Sequence, residues 1–260
     1  MDFLWLWLTY IAVFGLFFGS FLHVIVYRTH EGEKWWSGRS HCPHCGKTLT
    51  WKELIPLLSF ALQKGRCRKC NSPIPWRYPL VEILTAVISF VIFFILGISV
   101  ETALVWLIFM FVWANFLSDY FYMELPDEFS IPSIILALLY SIVYTELAWS
   151  NLAIAIGFGA FFFIAQYVLT KGEGIGDGDI RLGVLMGALL GWPMTLFSIM
   201  MAYIGGSVIS LGLLATKRAS MKSALPLGVF LLPALFISFL FYENILNFIS
   251  GVMMIEFITP

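Results

Sequence analysis

The chain has 260 residues, 60% of them hydrophobic and 12% charged, with a formal net charge of −1. Soluble domains carry about 45–50% apolar and about 25% charged residues, so this composition excludes a soluble globule and points to a polytopic membrane protein. The net charge excludes nothing by itself; the information lies in where the charges fall.

Residues 3–27 form the first apolar run, long enough to cross roughly 30 Å of hydrocarbon. No basic flank precedes it and Arg28 follows it, a pattern expected of a retained helix and not of a cleaved signal. Residues 28–78 are polar and hold ten of the 15 Lys and Arg residues. All four cysteines lie here as Cys42-Pro43-His44-Cys45 and Cys67-Arg68-Lys69-Cys70, with 21 residues between the pairs. Two C-x-x-C knuckles can close a tetrahedral zinc site, the spacer lying just beyond the usual range. Four thiolates leave no open position for water, so the expectation is structural zinc on Cys42, Cys45, Cys67 and Cys70. Disulfides or free thiols are the alternatives, and His41 or His44 could substitute as ligands. The basic residues here lack regular aromatic interleaving, so no nucleic-acid partner is expected; topology and anionic lipid account for them.

Seven further apolar segments are predicted, near residues 79–98, 101–118, 131–148, 151–170, 181–194, 195–215 and 226–250. The fold class is therefore all-α, with about eight transmembrane helices and a small cytoplasmic zinc-binding loop. Its predicted divisions are 1–27, a first transmembrane helix; 28–78, the four-cysteine subdomain; and 79–260, a transmembrane catalytic domain. No internal repeat is evident. The remaining basic residues are Lys171 and Arg181, then Lys217, Arg218 and Lys222. Placing residues 28–78 in the cytoplasm puts every one of them inside and both termini outside, as the positive-inside rule requires.

Ionisable groups at membrane depth are functional candidates. The stretch Gly174-Ile175-Gly176-Asp177-Gly178-Asp179-Ile180-Arg181 offers Asp177 and Asp179, and spacing alone does not choose between them. The glycines, Gly176 and Gly178 among them, suit the close approach of an extended chain. On this topology Asp119 ends its helix on the same face. Paired carboxylates that share a site split into acid and base, the arrangement that activates water in aspartic proteases. Helix-end fields would favour a protonated Asp119 and an ionised Asp179. Asp127 reads as a helix N-cap, Glu124 and Glu128 as interfacial, and Glu82 as a partner of Arg77 or a cavity residue.

Taken together these residues resemble the bifunctional type IV prepilin peptidases of the G-x-G-D aspartic protease group, over nearly the whole length. The resemblance is carried by Gly19-Ser20-Phe21-Leu22 with Arg28, by the two knuckles joined by Ile55-Pro56-Leu57-Leu58-Ser59, and by Trp76-Arg77-Tyr78-Pro79-Leu80-Val81-Glu82. It continues through Asp119 with Leu125-Pro126-Asp127 and Gly176-Asp177-Gly178-Asp179-Ile180-Arg181-Leu182. It implies Asp119 and Asp179 as the catalytic pair, with Gly176, Gly178, Asp127 and Arg181 shaping the site. It also implies cleavage of basic leaders from prepilins or pseudopilins at the cytoplasmic face of a bacterial inner membrane. N-methylation of the new terminus with S-adenosylmethionine would follow, with Gly65 and Glu82 as candidate residues; a peptidase without the methyltransferase is the alternative. The sequence departs from the family pattern at His23, where Asn is usual, at Thr29-His30 for Leu-Pro, and at Arg181 for Lys.

Overall fold

The computed structural model describes residues 2–253 except positions 37, 219, 221, 222 and 224. Lys222 and the two chain ends, whose side of the membrane the sequence reading assigns, lie outside the described residues. Among the described residues the fold is all-helical, and the extended pairings are two isolated bridges, His41 with Thr48 and Arg66 with Pro73. The chain divides into two compact units, residues 1–106 and 107–260.

The first unit comprises α1 (Asp2–His30), a single 3-10 turn (Trp51–Glu53), α2 (Leu58–Leu62), α3 (Arg77–Leu96) and the start of α4 (Val100–Tyr122). It thus holds the polar stretch 28–78 together with the helices on either side of it. Two small residues a turn apart let α1 lie close against α3. A Cβ at Gly15 would sit 2.8 Å from the Ala86 Cα, and one at Gly19 would sit 2.8 Å from the Thr85 hydroxyl. This is the small-xxx-small solution to helix packing in a solvent that supplies no hydrophobic drive. Thr85 and Ser89 return their hydroxyls to Val81 and Thr85 carbonyls of their own helix, each at 2.7 Å. Arg28, buried where α1 leaves the apolar region, donates to the carbonyls of Trp35 and Arg39 and pins the first loop.

The second unit continues α4 and adds α5 (Asp127–Tyr144), α6 (Trp149–Leu169), α7 (Asp177–Leu190), α8 (Met194–Ala215), α9 (Gly228–Leu240) and α10 (Tyr242–Met253). Its centre is α7, whose 14 residues are mostly buried. The α6–α7 contact is backbone on backbone, since a side chain at Gly159 or Gly183 would meet the other glycine's carbonyl oxygen. A Cβ at Gly187 would lie 2.6 Å from the backbone of Ala155 and Ile156. Polar stitches complete the bundle. Ser141 donates to the Ala188 carbonyl at 2.5 Å, Ser130 to the Asn115 amide oxygen at 2.9 Å, and Asn151 exchanges two hydrogen bonds with the Trp192 backbone.

Among the described residues six helices are long and apolar enough to cross a membrane: α1, α3, α4, α5, α6 and α8. The predicted span 226–250 is broken. Its halves, α9 and α10, meet at an 86° bend and together would make a seventh span. The remaining predicted segment is α7, which begins at Asp177, four residues before the predicted 181. At 1.5 Å per residue it is about 21 Å long, shorter than the hydrocarbon it would have to cross.

Candidate functional sites

Three connections of the second unit converge at one end. The α4–α5 link, the segment before α7 and the start of α9 meet around two carboxyl groups. Asp119 stands in the last turn of α4 and Asp179 in the first turn of α7; they are 5% and 7% exposed. Asp119 Oδ2 accepts the Val229 N–H at 3.0 Å, and Asp179 Oδ2 accepts the Gly176 N–H at 3.1 Å. Gly228 lies against Asp119. A Cβ there would fall 2.6 Å from Asp119 Oδ2 and 3.3 Å from the Leu182 side chain, one turn on from Asp179. Asp119 also feels the charge of Asp179. The helix-end argument that separated the two acids is thereby offset. Asp119 does end its own helix, but its carboxyl caps the N-terminus of α9, so both acids meet the positive end of a helix. Two buried carboxyls, each held by backbone N–H groups with lone pairs to spare, can share a proton and act as acid and base.

Arg181 braces this end. Its guanidinium pairs with Asp127, donates to the Leu125 carbonyl at 3.0 Å and reaches Asp177 at 3.4 Å, tying the α4–α5 link to α7. Asp127 is the first residue of α5 and Pro126 the cap, so Asp127 serves as an ion-pair partner here, not as the expected N-cap. Asp177 points outward, its side chain 81% exposed, whereas Asp179 is buried. The two glycines differ. A Cβ on Gly178 would lie 2.5 Å from that of Leu125, so its space is filled by the chain's own loop. Around Gly176 the nearest heavy atoms stand 3.9 Å from such a Cβ, and there is room.

In the first unit the four cysteines come together. Their sulfurs all lie within 4.8 Å of one another, and Cys42 Sγ is 3.9 Å from Cys70 Sγ. Zinc–sulfur bonds of about 2.3 Å in a tetrahedron place sulfurs about 3.8 Å apart, so the cluster fits a metal ion such as zinc. His41 and His44 are exposed and not part of the cluster. The knuckles are copies in backbone geometry, which the sequence did not reveal as a repeat. Cys42 N–H donates to Lys47 O as Cys67 N–H does to Ser72 O, and Leu49 N–H to Ser40 O as Ile74 N–H to Gly65 O. Gly46 and Asn71 take the matching left-handed positions, at φ 66° and 60°. The Ser72 hydroxyl, 3.1 Å from Cys70 Sγ, pulls that thiol down to about 6, toward the thiolate a metal binds. Buried Glu53 fixes the first knuckle, accepting from Lys47 Nζ at 2.6 Å and from Thr50 N–H and Oγ1 at 2.9 Å each.

Between α1, α3 and the knuckles lies a cavity of about 280 Å³. Ser20, His23, Tyr27, Tyr78 and Glu82 line it from the helices. Glu82, 8% exposed, accepts the Leu57 N–H at 2.9 Å and so holds a tight turn in which Leu57 has φ 57° and ψ −48°. A non-glycine residue is rarely found there, and such strain persists where its surroundings enforce it. Gly65, the other candidate, is not in the wall. It sits at φ 66° with a Cβ position 3.2 Å from Phe60, which does line the cavity.

Sequence reasoning missed Gly228 and Val229. Pro226-Leu227-Gly228 before an apolar run was readable as a helix start, but nothing local said that this start would face Asp119. A further polar pair at membrane depth, Tyr203 Oη donating to Gln166 Oε1 at 2.9 Å, also had no local signal.

Residues 13–96 match the family model described as the bacterial peptidase A24 N-terminal domain, and residues 104–211 match the type IV leader peptidase family. Among curated proteins the chain is similar to the prepilin leader peptidase/N-methyltransferase of Aeromonas hydrophila, 30% identical over 93% of each chain. It is likewise similar to the proteins of that name from Bacillus subtilis (strain 168), 30% identical over 93% of this chain and 97% of the relative, and from Myxococcus xanthus (strain DK1622), 35% identical over 84% and 67%. No solved structure matches the chain.

Proposed function

The chain belongs to the type IV leader peptidase family, and from that premise we propose that it cleaves prepilins or pseudopilins with Asp119 and Asp179 and then methylates the new N-terminus. The observation that carries the peptidase reading is the burial of two carboxyls at one end of the second unit, each fixed by a backbone N–H from a different segment. The pair enters the reaction with one proton between its members. The ionised carboxylate takes a proton from water, and the hydroxide oxygen bonds to the scissile carbonyl carbon. The protonated partner gives its proton to the carbonyl oxygen. Collapse of the tetrahedral adduct breaks the C–N bond, and the amine leaves with a proton returned from the pair. Because α7 is short and enclosed, Asp179 sits recessed where water is scarce and charge interactions are strong. Arg181 with Asp127 and Leu125 keeps the two halves of the site in register, and the open backbone at Gly176 accepts the extended substrate.

The cavity of the first unit is the methyl-donor site. Its volume and its mix of aromatic and carboxylate groups suit S-adenosylmethionine, a cationic sulfonium with an adenine ring. When bound, that donor supplies an electrophilic methyl group. Glu82 stabilises the cationic ligand and, through Leu57, shapes the wall. The four-cysteine cluster, holding zinc, makes the opposite wall rigid, so the zinc is structural. The protein sits in the bacterial inner membrane, with the zinc loop and the dyad cytoplasmic and both termini outside.

The test incubates the purified chain with a prepilin and S-adenosylmethionine and measures product mass. The wild type should give leader loss plus one methyl. D119N and D179N should each leave the prepilin uncut while still methylating a pre-cleaved pilin. Normal cleavage by either variant would sink the aspartyl assignment.

A further inference from the structure

Before a peptide bond can be cut, the chain around it must be extended, so its carbonyl and N–H groups have no partners within a helix. In a recess where water is scarce the enzyme must supply others. Several groups at the dyad end are already spent. The Gly176 and Val229 N–H groups hold the two aspartates, and the Leu125 carbonyl accepts from Arg181. Asn115, one turn before Asp119, is fully buried, its amide donating to the Phe111 carbonyl and accepting from Ser130.

One polar pair at this end has no part in the mechanism above. Tyr203 on α8 donates to Gln166 Oε1 on α6 at 2.9 Å, and both side chains are half-buried. Helix register places the pair beside the dyad. α6 and α7 run antiparallel through the Gly159–Gly183 and Ala155–Gly187 contacts, so two turns beyond the first of these Gln166 comes level with Gly176. α7 and α8 run antiparallel from the Met186 carbonyl, which accepts the Thr195 hydroxyl, and two turns on Tyr203 comes level with Asp179. Tyr203 accordingly feels the charge of Asp179. We propose that Tyr203 and Gln166 hold the substrate backbone beside the scissile bond, Tyr203 donating to a carbonyl oxygen and Gln166 accepting a neighbouring N–H. This rests on reading Asp119 and Asp179 as the cleaving pair.

The chemistry of the two side chains fits an extended peptide. A phenol is protonated at neutral pH and can donate, and a carboxamide both donates and accepts, as a peptide group does. In the free enzyme the two satisfy one another. With substrate bound, the hydroxyl turns to the substrate carbonyl and Gln166 Oε1 takes the substrate N–H, so no polar group is stranded. The Tyr203 ring need not move, because it is set edge-on against Phe162 with centroids 5.6 Å apart. Gly176, at the same level, leaves room for the incoming chain.

The test measures prepilin cleavage by the detergent-purified full-length chain and by Y203F, Q166L and the double variant, with melting temperature as the fold control. Phe keeps the ring on Phe162, and Leu keeps the bulk of the amide. Each single variant should raise KM about 3- to 10-fold, the range of one neutral hydrogen bond, with kcat within twofold of wild type. The split arises because the contact is made equally in the ground state and the transition state. The double variant should raise KM beyond either single. A mere brace between α6 and α8 behaves otherwise. Either change removes it, so melting temperature would fall, KM would stay, and the double would match the singles. Unchanged KM in a folded single variant overturns the proposal, as does a loss confined to kcat. D119N and D179N test the dyad separately: normal cleavage by either sinks the cleaving-pair reading, whatever Y203F does.

Discussion

Replacing Gly228 with Ala tests the dyad without touching either aspartate. The added Cβ would stand 2.6 Å from Asp119 Oδ2 and 3.2 Å from its Cγ. Ordinary contact begins near 3.4 Å, so the carboxyl must move by roughly 0.8 Å. Misplacing a reacting group by about 1 Å costs on the order of 10²-fold in rate. A second route gives a similar figure. The shift strains the Val229 N–H to Asp119 hydrogen bond, now 3.0 Å. A bond to a charged group is worth about 1.5–3 kcal/mol, or about 10- to 150-fold at 1.36 kcal/mol per decade. Stability should hardly change, because Ala in the first turn of α9 regains helix propensity of up to about 1 kcal/mol over Gly. The control is G205A on α8, where a new Cβ meets nothing within 4 Å. In a prepilin cleavage assay with detergent-purified protein, G228A should lose about two orders of magnitude and G205A none, with melting temperatures close to wild type. Cleavage by G228A within threefold of wild type would refute the placement of Asp119 against α9.

Three more expectations follow from other parts of the molecule. G183A should destabilise the second unit by about 1–3 kcal/mol or more through overpacking, since its Cβ meets the Gly159 carbonyl and the Phe163 ring; G157A, with open space around it, should be silent in the same thermal melt. C42S or C67S, each removing a buried sulfur from the cluster, should drop zinc content from one ion per chain toward none and open residues 40–75 to limited proteolysis; full zinc content in both variants would exclude these ligands. Glu53 is held from 4.5 down to about 2, first by its hydrogen bond from Lys47. Its folded-state value is below the unfolded one, so its stabilisation is complete above about pH 4.5 and fades as pH falls toward 2. The melting-temperature gap between wild type and E53Q should close over that window, and a gap constant across it would count against the assignment.

Much of the protein was legible because it is written in local chemistry. Apolar runs sized to the bilayer gave the all-helical fold and most helix positions, since a membrane forces backbone groups to be satisfied within each segment. The paired C-x-x-C knuckles named their own ligands, and the sulfurs gather as that spacing requires. Asp119 and Asp179 were candidates because carboxylates at membrane depth are costly. Tertiary structure decided what depends on partners distant in sequence. The bend after α9 was not read from the apolar run 226–250, which was predicted as one segment. Asp119 meets the N-terminus of α9, 110 positions away, and this cancels a dipole argument that was sound for its own helix. Gly178 is filled by Leu125 while Gly176 stays open, a distinction invisible in a stretch where the two glycines look alike. The sequence by itself therefore supplied the candidate groups, and only the fold decided which neighbours hold and tune them. Identity is local, whereas proximity is fixed by how helices far apart in the chain pack together.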